Sequence, residues 1–115
     1  MRTTEEVFLD HLDLAQRGDV ETDIERNFAP DCVLLTTYGT FRGHDGIRDA
    51  ARLLHDQVGE STWSYHTKVW HGEVAFLEWT AETEKARIPD GADSFLIRDG
   101  LVRVMTIHYT VQNHG

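Results

Sequence analysis

The chain has 115 residues, of which 40% are hydrophobic and 27% are charged, and its formal net charge is −9 with the histidines neutral. This size accommodates one hydrophobic core, so we expect a single domain over residues 1–115. Arginine and lysine are scattered through an acidic chain, which disfavours nucleic acid and anionic membranes as partners.

The sequence also narrows the location and the chemistry. No apolar run approaches the roughly 20 residues that a membrane-spanning helix needs. The segment after Arg2 is polar and unlike a signal peptide, so we expect a cytoplasmic protein. Cys32 is the only cysteine, and the seven histidines lack the spacing of a zinc-binding motif. We therefore expect no metal site and no cofactor.

The N-terminal segment is typical of an amphipathic helix over residues 4–17. Its apolar side chains recur at three- and four-residue steps, Thr3 and Glu6 form a capping box, and Gly18 provides a C-terminal stop. His11 lies on the apolar side of this helix. Such a histidine is either a core residue or a member of a pocket.

A second, short helix is predicted after Asp19, with Pro30 ending it. A β-rich run over 32–37 and a short return strand over 40–42 follow, joined by a turn. Residues 47–58 then predict a third helix, again with an apolar stripe.

After the third helix the hydrophobic period changes to two. Residues 62–70 and 73–82 predict two strands joined by a two-residue turn at His71 and Gly72. In that register one side of the pair carries Trp63, Tyr65, Thr67, Val69, Val74, Phe76 and Glu78. Both sides are apolar over much of their length, so this sheet needs a cover on each face.

Residues 92–111 predict a second hairpin, whose two-residue loop is Asp99-Gly100. Strict pairing from that loop places Asp93 opposite Thr106. It also places His108 diagonally from Asp93 on the same face. An aspartate and a histidine at one end of an apolar strip suit acid–base chemistry, although an ordinary sheet end also carries such residues.

Helices followed by a meander of strands predict an α+β fold, with three N-terminal helices against one face of a curved, mostly antiparallel sheet. Such a cone has an open mouth that suits a small, largely apolar ligand. Strict registers place a second apolar set on the outer face: Trp70, Leu77, Trp79, Leu96, Ile107 and Tyr109. A patch of that size predicts a homodimer through the outer sheet face.

Several segments in order resemble the nuclear transport factor 2-like superfamily, in particular its SnoaL-like members. They are Arg17-Gly18-Asp19, residues 28–33 (Phe-Ala-Pro-Asp-Cys-Val), residues 41–47 (Phe-Arg-Gly-His-Asp-Gly-Ile) and the hairpin from Asp93 to Val102. The resemblance covers the whole chain and implies the cone-shaped, cystatin-like roll of that superfamily. Its members include isomerases, cyclases, dehydratases, hydrolases and non-catalytic dimerisation modules, so it implies no single activity.

The resemblance also implies site residues. Ketosteroid isomerases of this superfamily use a tyrosine, an aspartate base and a protonated aspartic acid. These positions fall on His11, Thr36 and Asp93, of which only Asp93 keeps the residue type. The essential aspartate of SnoaL-like cyclases falls on Ile107. A β-bulge could turn either Ile107 or its neighbour His108 into the cone.

Two functions remain open at this stage. The first is a cofactor-independent enzyme in which Asp93, Glu78 and His108 transfer protons, because a carboxyl in an apolar cone has a pKa raised toward neutrality. Its expected pocket residues are His11, Thr36, Tyr38, Trp63, Tyr65, Phe76, Phe95, Ile107 and Tyr109. The second is a non-catalytic ligand-binding or dimerisation module of the same fold.

Overall fold

The computed structural model describes all 115 residues as three helices and one seven-stranded sheet. The elements are α1 (Thr4–Arg17), α2 (Val20–Asn27), β1 (Phe28–Thr36), β2 (Gly39–Arg42), α3 (Gly43–Val58), β3 (Ser64–His71), β4 (Val74–Glu82), β5 (Ala86–Arg98), β6 (Leu101–His108) and β7 (Gln112–Asn113). The strands are ordered β2-β1-β6-β5-β4-β3, and β7 pairs with β5. Only β1 and β6 run parallel. The predicted α+β class is confirmed.

The helix ends follow from local chemistry. Thr3 and Glu6 make both hydrogen bonds of the predicted capping box, and Gly18 ends α1 with φ 72°. The predicted end of α2 is wrong, because the helix stops at Asn27 and Pro30 already lies in β1. Proline is tolerated there because the pairing of β1 with β6 is irregular at that point.

The core lies between the helices and the concave face of the sheet. The members of this core that are fully or nearly fully buried include Val7, Phe8 and Ile24 from the helices and Phe28, Leu34, Leu77, Ile88 and Val102 from the strands. No helix packs on the opposite, convex face, where the apolar side chains remain half-buried or exposed. None of the three helices combines the length and the apolar character that crossing a bilayer requires.

A β-bulge in β6 changes the predicted register of the last hairpin. The pairs next to the Asp99-Gly100 loop are as predicted, as far as Ile97 with Val102. The next pair is Leu96 with Val104, so Arg103 is the extra residue. A one-residue insertion moves every later side chain of the bulged strand to the other face.

This bulge decides between the two residues that the sequence left open. Asp93 pairs with Ile107 instead of Thr106, and Ile107 lies on the concave face. His108 pairs with Ala92 and lies outside, with 68% of its side chain exposed.

The turn between β3 and β4 also differs from its prediction. It consists of Gly72 and Glu73, because His71 pairs with Val74. A second irregularity lies at His66, where Thr67 pairs with Glu78 while Tyr65 pairs with Trp79. The side predicted to face the cone therefore divides between the two faces of the sheet.

Candidate functional site

A cavity of about 920 Å³ lies between the helices and the concave face of the sheet. Most of its wall is apolar, with Leu12, Phe28, Leu34, Ile47, Leu77 and Met105 among the lining side chains. A space of this size and character suits a small, largely apolar molecule.

Asp93 is the one carboxyl that β5 presents to this cavity, and it is only 6% exposed. Its Oδ1 accepts a hydrogen bond of 2.8 Å from the indole nitrogen of Trp79. Its Oδ2 has no protein partner. Because no fully buried side-chain oxygen or nitrogen lacks a partner, Oδ2 is accessible from the cavity.

Burial raises the pKa of Asp93 to about 7, although the hydrogen bond from Trp79 and the charge of His11 act in the opposite direction. A carboxyl loses more hydration than one indole hydrogen bond restores, so its neutral form is favoured. At neutral pH the protonated and ionised forms of Asp93 are both populated. A group in that condition can accept or donate a proton.

The indole of Trp79 reaches Asp93 because the residue opposite Trp79 on β5 has no side chain to block it. Its partner in β5 is Gly91. A Cβ atom at Gly91 would lie 2.2 Å from the Cε2 atom of the indole, far inside van der Waals contact. The glycine therefore creates the space in which the indole lies flat against β5. β5 begins at Ala86, six residues before the predicted start of the hairpin at residue 92, and therefore includes Gly91.

A second titratable pair lies on the helical wall. The Nδ1 atom of His11 on α1 is 2.7 Å from Oδ2 of Asp23 on α2. Both side chains are about nine-tenths buried. Since a carboxylate can only accept a hydrogen bond, Nδ1 of His11 carries the proton. The other ring nitrogen, Nε2, has no protein partner and is accessible from the cavity.

Two opposing effects act on His11. Burial lowers the pKa of its imidazole, but the charge and the hydrogen bond of Asp23 raise it by more, with smaller contributions from Asp93 and Asp10. The pKa is therefore higher than that of an ordinary histidine. The charges of His11 and Asp93 each shift the pKa of the other, which makes them one electrostatically linked pair across the cavity.

Aromatic rings form a continuous wall beside these polar groups. Trp63 meets Trp79 edge-on with centroids 5.4 Å apart, Trp79 lies 6.0 Å from Tyr109, and Tyr109 lies 5.7 Å from Tyr38. Such a wall offers both faces and edges to a flat apolar molecule.

Two of the tyrosine hydroxyls in the cavity wall, those of Tyr65 and Tyr109, already donate hydrogen bonds. Tyr65 donates to the carbonyl oxygen of Leu12 over 3.0 Å, and Tyr109 donates to Oε1 of Gln57 over 2.6 Å. Burial raises the pKa of Tyr109 to about 12 and raises the pKa of Tyr65 as well. Neither phenol is ionised near neutral pH.

The structure brings most of the predicted site residues into the cavity wall. These are Asp93, His11, Thr36, Tyr38, Trp63, Tyr65, Ile107 and Tyr109. The hydroxyl of Thr36 binds within its own turn, where it accepts from the amide of Tyr38 over 2.9 Å. It therefore cannot replace the aspartate base of the isomerases.

Four predicted site residues lie outside the cavity wall. The bulge at Arg103 turns His108 outward, to within 3.6 Å of Asp90. Glu78 is exposed and Phe76 half-buried on the convex face, because Leu77 and Trp79 take the inward positions of β4. Phe95 is buried beneath His11, with ring centroids 5.3 Å apart, and supports that ring from the side away from the cavity wall.

The set of residues predicted for the outer sheet face is largely wrong. Leu77, Trp79, Ile107 and Tyr109 line the cavity instead. The ring of Trp70 lies against Phe8 of α1, with centroids 6.1 Å apart. Only Leu96 stays on the convex side. In β6 the bulge at Arg103 exchanges the two faces. In β4 the two faces alternate as predicted, but the one expected to lie outside is the one that packs toward the helices.

Two residues of the site were not predicted from the sequence. Asp23 shares the buried face of α2 with Val20, Ile24 and Asn27, at steps of three and four residues. A carboxylate beside Val20 and Ile24 on the inner face of the helix is a signal that could have identified it. For Trp79 the signal was its cross-strand partner Gly91, because a glycine within a strand often marks the close approach of another group.

Comparison with protein families identifies the fold family. Residues 8–105 match the model of the SnoaL-like domain. The chain belongs to the SnoaL-like family. The match spans most of the chain and includes β5 with Asp93 and α1 with His11. No curated protein matches the sequence.

Solved structures share the SnoaL-like fold at low sequence identity. A candidate ketosteroid isomerase from Kribbella flavida has a TM-score of 0.77 at 16% identity, covering 97% of this chain and 81% of that one. A candidate SnoaL-like polyketide cyclase from Mesorhizobium loti has a TM-score of 0.72 at 15% identity, covering 94% and 100%. TerC, co-crystallised with polyporic acid, has a TM-score of 0.73 at 20% identity, covering 93% and 91%. These similarities show the fold alone.

Proposed function

We propose that this SnoaL-like protein is a cofactor-independent acid–base enzyme that moves protons on a small, largely apolar molecule bound in the cavity. The observation that carries the proposal is the buried carboxyl of Asp93, with one oxygen held by Trp79 and the other free toward the cavity. Most structural carboxyls of this burial are fully hydrogen-bonded, whereas this one keeps a free oxygen beside apolar walls.

The two linked groups divide the proton chemistry. The ionised form of Asp93 accepts a proton from a C–H bond next to a carbonyl group. The imidazolium of His11, which Asp23 stabilises, donates a hydrogen bond or a proton from Nε2 to the carbonyl oxygen. Because the pKa of Asp93 is about 7, each group returns to its starting state without a large energetic penalty. Isomerisation, cyclisation and dehydration all use such steps.

The second candidate is binding without catalysis. Glu78, the expected acidic partner of Asp93, lies outside the cavity, and Thr36 stands where the isomerases have their base. Under this function the cavity would hold an apolar molecule while Asp93 only selects a ligand with a hydrogen-bonding group.

Exchange of carbon-bound hydrogen for deuterium separates the two functions. The probes are aromatic β-keto esters and cyclic enones in D₂O, followed by NMR. We expect the wild-type protein to accelerate the exchange of at least one probe, and Asp93→Asn to reduce that acceleration by about 100-fold, the lower range for a general base.

The matched control is Glu78→Gln, which makes the same change of charge on the neighbouring strand but outside the cavity. Its rate is expected to equal that of the wild type. Probes that bind without any accelerated exchange would establish the binding function and reject the enzyme. An exchange rate that Asp93→Asn leaves unchanged would reject the role of Asp93.

We further propose that the protein forms a homodimer through its convex sheet face, with residues different from those first predicted. Cross-strand pairing places Leu35, Thr106, Ser94, Phe76 and Val69 in one row across five strands. The apolar side chains of this face are Val33, Leu35, Val69, Val74, Phe76, Leu96 and Val104.

The size of this face fits a second copy of the chain. Five strands spaced by about 4.8 Å, each some eight residues long, cover roughly 600 Å² in projection. Standard interfaces bury about 800 Å² of accessible surface on each partner, which is of the same order. The apolar side chains and hydroxyls of this face can meet the same face of a second copy about a two-fold axis.

A further inference from the structure

Asn27, the last residue of α2, is completely buried behind the His11–Asp23 pair. Its amide nitrogen donates to Oδ1 of Asp23 and to Oδ2 of Asp10, each over 2.9 Å. Its amide oxygen accepts from the guanidinium of Arg2 over 2.7 Å. The partners determine the orientation of the amide, because carboxylates only accept hydrogen bonds and a guanidinium only donates them.

The amide of Asn27 limits the freedom of Asp23. One carboxylate oxygen of Asp23 binds Nδ1 of His11 and the other binds Asn27. With both oxygens engaged, the carboxylate cannot rotate without breaking a hydrogen bond. Its orientation in turn fixes the tautomer and the ring plane of His11, as orienting partners of histidines generally do.

We propose that Asn27 is a positioning residue of the site: it holds Asp23 so that His11 keeps its proton on Nδ1 and presents Nε2 to the cavity. The proposal rests on the proposed proton-transfer function for its catalytic consequence. Asn27 does not itself line the cavity, so it acts only through Asp23 and His11.

An amide suits this position better than any charged side chain. The titratable groups that act on His11 are Asp23, Asp93 and Asp10, all of them acidic. A carboxylate at position 27 would face Asp23 and Asp10 with no proton to donate. A cation there would compete with His11 for the charge of Asp23. The neutral amide donates two hydrogen bonds and leaves the charge balance of the pair unchanged.

Arg2 connects this amide to the rest of the fold. Besides Asn27, its guanidinium donates to the carbonyl oxygens of Arg26 and Gly100, and the Gly100 contact is 3.1 Å long. The N-terminal segment is thereby held against the end of α2 and the β5–β6 turn. The amide of Asn27 is thus held by Arg2 at its oxygen and by Asp10 and Asp23 at its nitrogen.

NMR of the ligand-free protein tests the proposal. In ¹⁵N-labelled wild-type protein we expect the ring of His11, assigned with His11→Gln, to show a single neutral tautomer and a slowly exchanging Nδ1 proton. Asn27→Ala is expected to accelerate the exchange of that proton with water by about tenfold and to produce a mixture of tautomers, on the scale at which orienting partners act. Asn27→Asp keeps the volume but removes the donors, so it is expected to have the same effect.

Two controls separate positioning from general loosening. Ile88→Ala empties a fully buried core site that does not line the cavity, and Asn113→Ala removes the other asparagine of the chain, which is exposed. Neither is expected to change the tautomer of His11. A single tautomer and slow exchange in both Asn27 variants would overturn the proposal, as would the same loosening in Ile88→Ala.

The wild-type protein provides the result if the Asn27 variants do not fold. The side-chain amide protons of Asn27 are expected to shift with pH at the same midpoint as the His11 ring. Amide protons that stay unshifted through that midpoint would overturn the proposal. If the Asn27 variants perturb His11 but no probe exchanges carbon-bound hydrogen faster with the wild-type protein, the proposed enzyme is rejected and the positioning role of Asn27 stands. Exchange activity with an unperturbed His11 in Asn27→Ala would reject only the positioning role.

Discussion

The concave and convex faces of the sheet are built from alternating residues of the same strands, yet they have opposite characters. On β4 and β5 the inward positions hold Leu77, Trp79 and Asp93, and the outward positions between them hold Glu78 and Ser94. The inward carboxyl is buried and has one free oxygen. The outward carboxyl of Glu78, in the adjacent strand, is exposed to water.

The difference shows that burial, and not residue type, makes a carboxyl useful for chemistry. In water an aspartate is ionised well below neutral pH, whereas the apolar cone raises the pKa of Asp93 to about 7. The helices produce that environment on one face only. The other face keeps the same strands and a similar supply of acidic residues without a pocket.

The largest expected effect comes from filling the gap beneath Trp79. Gly91→Ala adds a methyl group in the space that the indole of Trp79 occupies, so the indole must move away from β5. We expect a loss of roughly 3 kcal/mol in the free energy of unfolding, the upper range for overpacking. Urea denaturation followed by tryptophan fluorescence measures it.

The control is Ala92→Val, which adds a larger group to the next residue but on the convex face. Its free energy of unfolding is expected to stay within about 0.5 kcal/mol of the wild type. Equal losses of unfolding free energy in Gly91→Ala and Ala92→Val would contradict the difference between the concave and convex faces, because both faces would then tolerate added volume equally.

A smaller effect, of opposite sign, is expected from removing the charge of Asp93. The pKa of Asp93 in the folded protein, about 7, lies above its ordinary value of 3.8, so the folded protein binds the proton more tightly than the unfolded chain. The contribution of this group to stability is therefore full below pH 3.8 and is lost progressively as the pH rises from there to about 7. The full difference corresponds to roughly 4 kcal/mol.

Asp93→Asn removes that penalty, and about 2 kcal/mol of extra stability is expected at pH 8 after the altered hydrogen bond with Trp79 is allowed for. Thermal unfolding between pH 5 and pH 8 should show a flatter profile than the wild type. His11 also loses its stabilising contribution as the pH rises through its raised pKa, so some slope remains. Glu78→Gln is expected to keep the wild-type slope. A steeper profile in Asp93→Asn would contradict the assignment.

A substitution on the convex face is expected to have the smallest effect on the stability of the monomer. Its effect on dimerisation is expected to be large. Phe76→Glu places charges at the centre of the proposed dimer contact, where two copies would face each other. In sedimentation equilibrium we expect the variant to behave as a monomer and the wild type as a dimer, with a change of about 0.5 kcal/mol in monomer stability. Ser94→Thr, on the same face, should remain dimeric. A wild-type protein that is monomeric at tens of micromolar would reject the interface.

The sequence was sufficient for the elements whose signals are local. The capping box at Thr3, the stop at Gly18 and the Asp99-Gly100 loop each depend on a few neighbouring residues, and the structure contains all three. The α+β order of helices and strands, and the place of Asp93 on a buried strand, followed from the same kind of pattern. These features require no knowledge of what packs against them.

The faces of the strands were decided by tertiary structure. The bulge at Arg103 and the irregularity at His66 have no strong local signal, yet each exchanges inward and outward residues beyond it. The bulge at Arg103 excludes His108 from the cavity and brings in Ile107. The irregularity at His66 divides Tyr65 and Thr67 between the two faces. Whether Trp79 or Glu78 faces inward depends on which side of β4 the helices cover. Bulges arise because a curved sheet must fit the helices packed on it, and that fit involves residues far apart in the chain.

The sequence by itself therefore determined the fold class, the ends of its best-capped elements and one acidic residue of the site. Only the tertiary structure decided which side chains meet that residue. The pairing of His11 with Asp23 crosses two helices, and the contact of Trp79 with Asp93 crosses two strands. Local propensity fixes each element separately, but the pKa of a buried group depends on every element that surrounds it.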